Sequence, residues 1–192
     1  MRPIPAWAAA PLAALALTAC QPAADRAEGD AAATPEPSSS NLAATLKGNG
    51  DLDSMEAAVS AAGLETVLTG VGPYTVFAPV DAAFEAAGGA LTGADLKAQN
   101  AALVRAHIVP GVLTRQDLAA ALDRGGADGV EMRTMAGDLL TFSREGETIV
   151  VTAPDGSKAR LAGEQAVASN GVIQPVDAVL TKPDQAAPAM KS

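Results

Sequence analysis

The sequence predicts an α+β fold, because helical and strand patterns occupy different halves of the chain. In the first half, apolar residues recur at helical spacing, starting with Leu52, Met55 and Val59. From Val130 onward the pattern is typical of short strands separated by turn residues. One strand, 74–77, comes early. This segregation indicates short helices combined with mostly antiparallel β-structure.

Turn and capping residues set the expected bounds of the first helices. Asp51 or Asp53 is expected to cap the helix that carries the 52–59 pattern, and Gly63 stands where a C′ glycine belongs. A second short helix is expected over 64–68. It leads into a turn before the early strand.

Similar signals follow in the middle of the chain. Thr92–Asp95 and Thr114–Asp117 have capping-box spacing, and Asn100 is expected to cap the helix that carries His107. Pro110-Gly111 predicts a turn.

The second half predicts strands over 130–134, 139–142, 148–152, 158–161 and 172–180. Asp155-Gly156 is the clearest hairpin turn in the chain. Pro175 has no N–H for a ladder, so its strand is expected to be bulged or at an edge there.

The segment 74–84 is expected to turn sharply from a strand into a helix. Pro79 ends the strand, Asp81 can accept a backbone N–H at the start of the helix, and Phe84 faces back toward the strand. The candidate site residues of this segment are Tyr74, Thr75, Phe77, Pro79, Asp81 and Phe84.

This segment closely resembles the first signature motif of fasciclin-type (FAS1) domains, and two further motifs follow in order. Segment 103–114, with His107, Pro110 and Gly111, resembles the central motif, and segment 169–180 resembles the closing one. The closing motif contributes Asn170, Gly171, Val172, Ile173 and Asp177.

The resemblance covers 41–183, as a single copy of a module often found in tandem. It implies a wedge of two β-sheets with several short helices packed along one edge. It also implies a role in cell adhesion or matrix contact.

The chain departs from the family pattern at two places. Ala106 stands where the family has a Tyr before His107, which puts recognition through a Tyr-His pair in doubt. Gln174-Pro175 replaces a frequent His in the closing motif. We expect the closing-motif residues to hold the fold together, with Asp177 in a local polar contact with the first motif.

The amino-terminal region is predicted to lie outside the fold. Residues 1–19 have the pattern of a signal peptide, with an apolar run too short to span a bilayer. Leu17-Thr18-Ala19-Cys20 resembles a bacterial lipobox, which implies that Cys20 is acylated and inserts into membrane lipid. An ordinary signal peptide followed by a coincidental cysteine is the alternative. Cys20 is the only cysteine in the chain.

Segment 20–40 is rich in Ala, Pro and Ser and predicts a disordered linker after the lipidated cysteine; 184–192 predicts a flexible tail. The protein is thus expected to be an extracytoplasmic, membrane-anchored lipoprotein. In the Gram-negative lipoproteins that this segment resembles, an Asp after the lipidated cysteine favours retention in the inner membrane. Here Gln21 stands at that position, so the outer membrane or periplasm is favoured if the host is Gram-negative.

Composition excludes several partners and chemistries. A net charge of -9 argues against nucleic acid and against docking on anionic lipid. One histidine and one cysteine are too few for a zinc site, and we predict no metal and no cofactor. A Ser-His-Asp triad would have to use His107 with Ser143, Ser157 or Ser169, and no Gly-x-Ser-x-Gly elbow is present.

The leading hypothesis is therefore a non-catalytic adhesion or interaction module for an envelope or extracellular protein or a polysaccharide. His107 is then a structural histidine bonded to a backbone carbonyl. One alternative is an envelope hydrolase or small-ligand binder that uses a cleft near His107, with Asp81 or Asp117 as its carboxylate partner. A second alternative is a structural partner of another envelope protein.

Overall fold

The computed structural model describes residues 38–88, 97–126 and 129–181, and within them the fold is α+β, as the sequence predicts. The predicted signal peptide, Cys20, most of the linker, the tail and the Thr92–Asp95 capping box lie outside these residues. No helix in the described ranges has the length and apolar character needed to cross a bilayer.

The helices are short and come mainly before the strands. They are α1 (Leu42–Lys47), α2 (Asp53–Ala62), α3 (Glu65–Thr69), α4 (Asp81–Ala86), α5 (Lys97–Ala106) and α6 (Arg115–Gly125). The strands are β1 (Tyr74–Pro79), β2 (Ile108–Pro110), β3 (Val130–Arg133), β4 (Leu139–Glu145), β5 (Thr148–Thr152), β6 (Lys158–Arg160), β7 (Ala166–Ala168) and β8 (Gly171–Val176).

The strands form two four-stranded sheets. Sheet A has the order β2-β1-β8-β7, and sheet B has the order β3-β4-β5-β6. Sheet B is a simple antiparallel meander, in which the predicted Asp155-Gly156 hairpin joins β5 to β6. Sheet A joins distant segments, because β1 and β8 pair in parallel from Tyr74 opposite Gly171 to Pro79 opposite Val176.

Two hydrophobic clusters fill the interior. The first packs α1, α2 and α5 against sheet A and includes Leu42, Met55 and Ile173, each at most 1% exposed. The second lies between residues of the two sheets and α6, where the rings of Phe77 and Phe142 are 5.2 Å apart. With few aromatics available, Leu, Val and Ala supply most of both clusters.

The structure confirms some local signals. Gly63 ends α2 in the left-handed conformation, with φ of 71°. Thr114 and Asp117 form the predicted capping box at the start of α6. Both signals act within a few residues of the chain, which is why the sequence reveals them.

Three expectations about element ends are wrong. Leu52, not Asp51 or Asp53, is the N-cap residue of α2. Asn100 is buried inside α5 and does not cap it. Strand β8 ends at Val176 and not at residue 180, because the chain leaves the sheet there.

Strand β7 was not predicted, and it changes the place of Pro175. β8 lies inside sheet A, between β1 and β7, but its pairing with β7 stops at Ile173. Beyond that point Ala162 donates its N–H to the carbonyl of Pro175 at 2.8 Å. The nitrogen of Pro175 therefore lies beyond the residues that pair with β7, where the ladder needs no N–H. For this reason a proline fits within an interior strand.

Candidate functional site

His107 lies at the end of α5 and is completely buried. Its Nδ1 is 2.8 Å from the carbonyl of Leu103, and its Nε2 accepts the N–H of Leu180 at 3.0 Å. A carbonyl only accepts and an N–H only donates, so the ring is the neutral tautomer with its proton on Nδ1. The imidazole thus links α5 to the segment that follows β8.

Burial lowers the pKa of His107 from 6.5 to about 4, although the bond to the Leu103 carbonyl opposes the shift. The ring stays neutral at ordinary pH, and both nitrogens are already used. A general base must reach the proton that it removes, and this ring does not reach solvent.

The proposed carboxylate partners are also engaged elsewhere. Asp117 accepts from the N–H and hydroxyl of Thr114, and the hydroxyl bond in particular lowers the pKa of Asp117. Asp81 accepts from the N–H of Ser54 at 2.8 Å. The structure therefore does not assemble the catalytic cleft of the alternative hypothesis.

Asp81 caps a different helix from the one expected. Val80 is the N-cap residue of α4, which has no side-chain cap, and the Asp81 carboxylate instead bonds to the first turn of α2. The N–H of Asp81 also donates to the carbonyl of Asp51 at 2.9 Å. Asp81 thus fastens α2 to the end of β1. Phe84 is buried in the first cluster with Val76 and Ala78 of β1, in line with the prediction that it faces back toward the strand.

Asn170 joins three elements at the start of β8. Its Oδ1 accepts from the N–H of Leu42 at 2.8 Å, and its Nδ2 donates to the carbonyls of Leu68 and Gly70. Its backbone carbonyl accepts from Tyr74. One side chain therefore fixes α1 and the end of α3 beside β1, which fits the expected structural role.

Glycines allow β1 and β8 to come this close. A Cβ at Gly72 would collide with the Asn170 carbonyl, and one at Gly171 would collide with the Tyr74 carbonyl. Gly72 also has a φ of 64°, which favours glycine. Val172 and Ile173 follow in β8 and are buried on the two sides of the sheet.

Thr75 connects β1 to the turn after β2. Its hydroxyl donates to the Gly111 carbonyl at 2.8 Å and accepts from the Leu113 N–H at 2.9 Å. Tyr74 lies opposite Pro110 in the ladder. The first and central family motifs are thereby joined both by the Thr75 hydroxyl and by the backbone ladder between β1 and β2.

Asp177 does not make the expected contact with the first motif. Its Oδ1 accepts from the N–H of Arg160 at 2.6 Å, and its own N–H donates to the Arg160 carbonyl. These bonds fasten the end of β6, in sheet B, to the residue that follows β8, in sheet A.

A polar network around the buried Gln174 was not predicted from the sequence. Its Nε2 donates to the Leu113 carbonyl and to Oε1 of Gln165, both at 2.9 Å. Arg115 donates through Nη2 to the Ala162 carbonyl at 2.7 Å, and desolvation lowers the pKa of its guanidinium. The polar Gln174 in an otherwise apolar strand was the available signal.

The described residues also contain a small open cavity of about 220 Å³. Its lining includes Ala106, Leu180 and the carboxylates Asp138 and Asp155. His107, which accepts the N–H of Leu180, is not among the lining residues. Among the described residues, no group of three or more His, Cys, Asp or Glu side chains is placed to hold a metal ion.

Two of the three large hydrophobic side chains that are exposed in the described ranges lie at one end of sheet A. Val71 is 97% exposed and Val112 is 47% exposed. Pro73 and Pro110, also exposed, lie beside them. We name these four residues the apolar tip. Its only signal in the sequence is weak, a valine between two glycines.

Comparisons with known proteins agree with this geometry. The fasciclin domain family matches residues 50–182, more than half of the chain. Protein sll1483 of Synechocystis sp. is 34% identical over 140 residues, which make up 71% of this chain and 70% of that protein. The chain belongs to the fasciclin family.

Two further similarities involve longer proteins. Transforming growth factor-beta-induced protein ig-h3 of Sus scrofa is 30% identical over 139 residues, covering 72% of this chain but only 19% of that protein. A FAS1 domain pair from the insect cell adhesion molecule Fasciclin I has a TM-score of 0.66 at 16% identity, over 77% of this chain and 53% of that chain. The α+β fold with two four-stranded sheets is therefore that of a FAS1 domain, a module associated with cell adhesion and interaction.

Proposed function

We propose that this protein is a lipid-anchored, extracytoplasmic FAS1 protein that acts as a non-catalytic interaction module at the cell envelope. Its partner is an envelope or extracellular protein or a polysaccharide. Acylated Cys20 holds it in a membrane, which is the outer membrane if the host is Gram-negative.

The observation that carries the proposal is that the fold itself uses the polar groups of the family motifs. Both nitrogens of His107, the amide of Asn170 and the carboxylate of Asp81 are bonded to backbone groups of the same chain. These groups stabilise the domain and are not displayed to a ligand. Recognition is then a property of the outer surface, as befits a module associated with adhesion.

The sequence supports the tether. Leu17-Thr18-Ala19-Cys20 follows an apolar run, and 21–37 has the composition of a flexible spacer. Two or more acyl chains are sufficient for stable anchoring, whereas one chain is marginal. The spacer leaves the domain free to meet partners above the lipid.

Acylation is tested by expressing the full chain in a host that processes lipoproteins and feeding it labelled palmitate. The wild-type chain is expected to incorporate label and to fractionate with membranes, whereas Cys20→Ala does neither. Ser39→Ala is a matched control that should behave as wild type. Absence of label from the wild-type chain would remove the tether from the proposal.

The interaction role is tested in the native host by deleting the gene and restoring either the wild-type chain or Cys20→Ala. The deletion is expected to alter cell aggregation, surface attachment or biofilm formation, and only the anchored chain restores it. Crosslinking on intact cells with mass spectrometry then identifies the protein partner, and glycan binding by the purified domain addresses a polysaccharide. Unchanged phenotypes in all three assays would count against an adhesion role.

A further inference from the structure

Four segments without a charged side chain converge at one end of sheet A. Residues 38–46, 66–80, 106–114 and 165–176 contain no Asp, Glu, Lys or Arg. The register places Tyr74 opposite both Pro110 and Gly171. The start of β1, the end of β2 and the start of β8 therefore share this end, and the pairing of Ala168 with Gly171 adds the end of β7.

The apolar tip is the outermost apolar part of this end. The N–H of Gly111 donates to the Pro73 carbonyl at 2.9 Å, so the loop with Val71 and the loop with Val112 are held side by side. Tyr74 and Leu113, which follow Pro73 and Val112 in the chain, are half-buried. Exposed apolar residues that lie together without charges are typical of a surface that contacts another molecule or a membrane.

The first described residues, 38–40, lie beside β7 close to this end and run towards it. Ser38 donates its N–H to the Val167 carbonyl, and Ser40 accepts from the N–H of Ser169, both at 2.9 Å. Residues 38–40 thus lie along β7. With strands about 4.8 Å apart, β7 is about 14 Å from β2 across the sheet, so the first described residues lie within about one sheet width of the tip.

We propose that the apolar tip docks on the surface of the bilayer that holds the anchor, and that its partner is phospholipid without net charge. The inference rests on the proposed acylation of Cys20. Segment 21–37, as a coil, has an end-to-end distance of roughly 23 Å, so it keeps this end of sheet A close to the headgroups.

The charge pattern selects the kind of lipid. Anionic headgroups are attracted by clusters of Lys and Arg, which this end lacks, and the net charge of -9 opposes them. Acidic side chains that would resist contact with the interface are absent from the same four segments. Apolar side chains leave water without any charge being desolvated. Docking would orient the domain, with the opposite end of sheet A directed away from the membrane.

The test places an environment-sensitive fluorophore on the tip of the acylated full-length protein in phosphatidylcholine vesicles. Cys20 is the only cysteine and acylation blocks it, so Val71→Cys and Val112→Cys each accept a single label. Ala82→Cys is the matched control, since it is exposed on α4, beyond the opposite end of β1. Emission from positions 71 and 112 is expected to rise at least two-fold on reconstitution and to be quenched by lipid-borne quenchers.

Position 82 is expected to be unchanged. Val112→Asp should at least halve the response at position 71, whereas Ala82→Asp should not affect it. A response at position 71 no larger than that at position 82 would overturn the proposal. So would a response that needs no vesicles and grows with protein concentration, because the occupant would then be a second copy of the chain.

A second tether separates this inference from the proposed function. The mature chain from Gln21, carrying an amino-terminal hexahistidine, is held on vesicles containing nickel-chelating lipid and labelled at the same positions. If Cys20 is not acylated in cells but position 71 responds on these vesicles, the natural anchor is wrong and the docking surface stands. If Cys20 is acylated and position 71 is silent on both kinds of vesicle, only the docking surface is refuted.

Discussion

Lowering the pH should destabilise this protein through a single side chain, His107. It is the only histidine in the sequence, so it is the one side chain whose ordinary pKa lies between pH 5 and 8. Burial lowers its pKa from 6.5 to about 4 in the folded chain. The unfolded chain therefore takes up the proton first, and the free energy of unfolding falls as the pH drops through this window.

The magnitude follows from the two pKa values. The whole shift corresponds to about 3 kcal/mol, which is present above pH 6.5 and lost by about pH 4. Between about pH 7.5 and about pH 5.5 the loss is about 1.3 kcal/mol. Carboxylates contribute mainly below that interval, because their ordinary pKa values are near 4.

The comparison uses His107→Gln, which keeps a polar side chain but does not titrate. We expect the variant to have a lower free energy of unfolding than the wild type at pH 7.5. The difference between the two free energies should be smaller by about 1.3 kcal/mol at pH 5.5. Urea unfolding followed by far-UV circular dichroism is suitable, because the only tryptophan, Trp7, lies in the predicted signal peptide. NMR titration of the single imidazole gives its native pKa directly. A native midpoint near 6.5, or a gap that does not change with pH, would refute the reasoning.

Three further predictions concern the free energy of unfolding, measured in urea at neutral pH. Asn170→Ala leaves three backbone groups without partners and should cost about 3 kcal/mol. Asn41→Ala, which removes only the α1 cap, should cost about 1 kcal/mol. Equal losses in the two variants would contradict the role of Asn170 in joining the elements. Asp81→Ala should cost about 1 kcal/mol through the capping bond to α2, and Asp81→Asn, which keeps an acceptor, should cost less; the idea fails if both variants are as stable as the wild type. Gly72→Ala should cost more than about 2 kcal/mol, because the added methyl group meets the Asn170 carbonyl. Gly146→Ala, at a φ of 65° but with open space around it, should cost about 1 kcal/mol. The reverse order would show that the close approach of the Gly72 and Asn170 backbones does not matter.

Features determined within a few residues could be predicted from the sequence. The left-handed Gly63, the capping box from Thr114 to Asp117 and the Asp155-Gly156 hairpin each depend on neighbours along the chain. The strand and helical patterns gave the α+β class in the same way. The structural role of His107 was also predictable in kind, since a lone histidine at a helix end has a carbonyl within reach.

Tertiary structure decided what depends on distant partners. Asp81 caps α2 because β1 brings it there, although its sequence position suggested its own helix. The short β7 exists because β8 supplies its pairing edge, since three residues of Ala and Val carry little local signal. The apolar tip is assembled from two loops that the antiparallel pairing of β1 with β2 places together. Local chemistry fixes φ, ψ and turns over a few residues, whereas the register of distant strands is settled by burial of the whole core, which no short window of sequence contains.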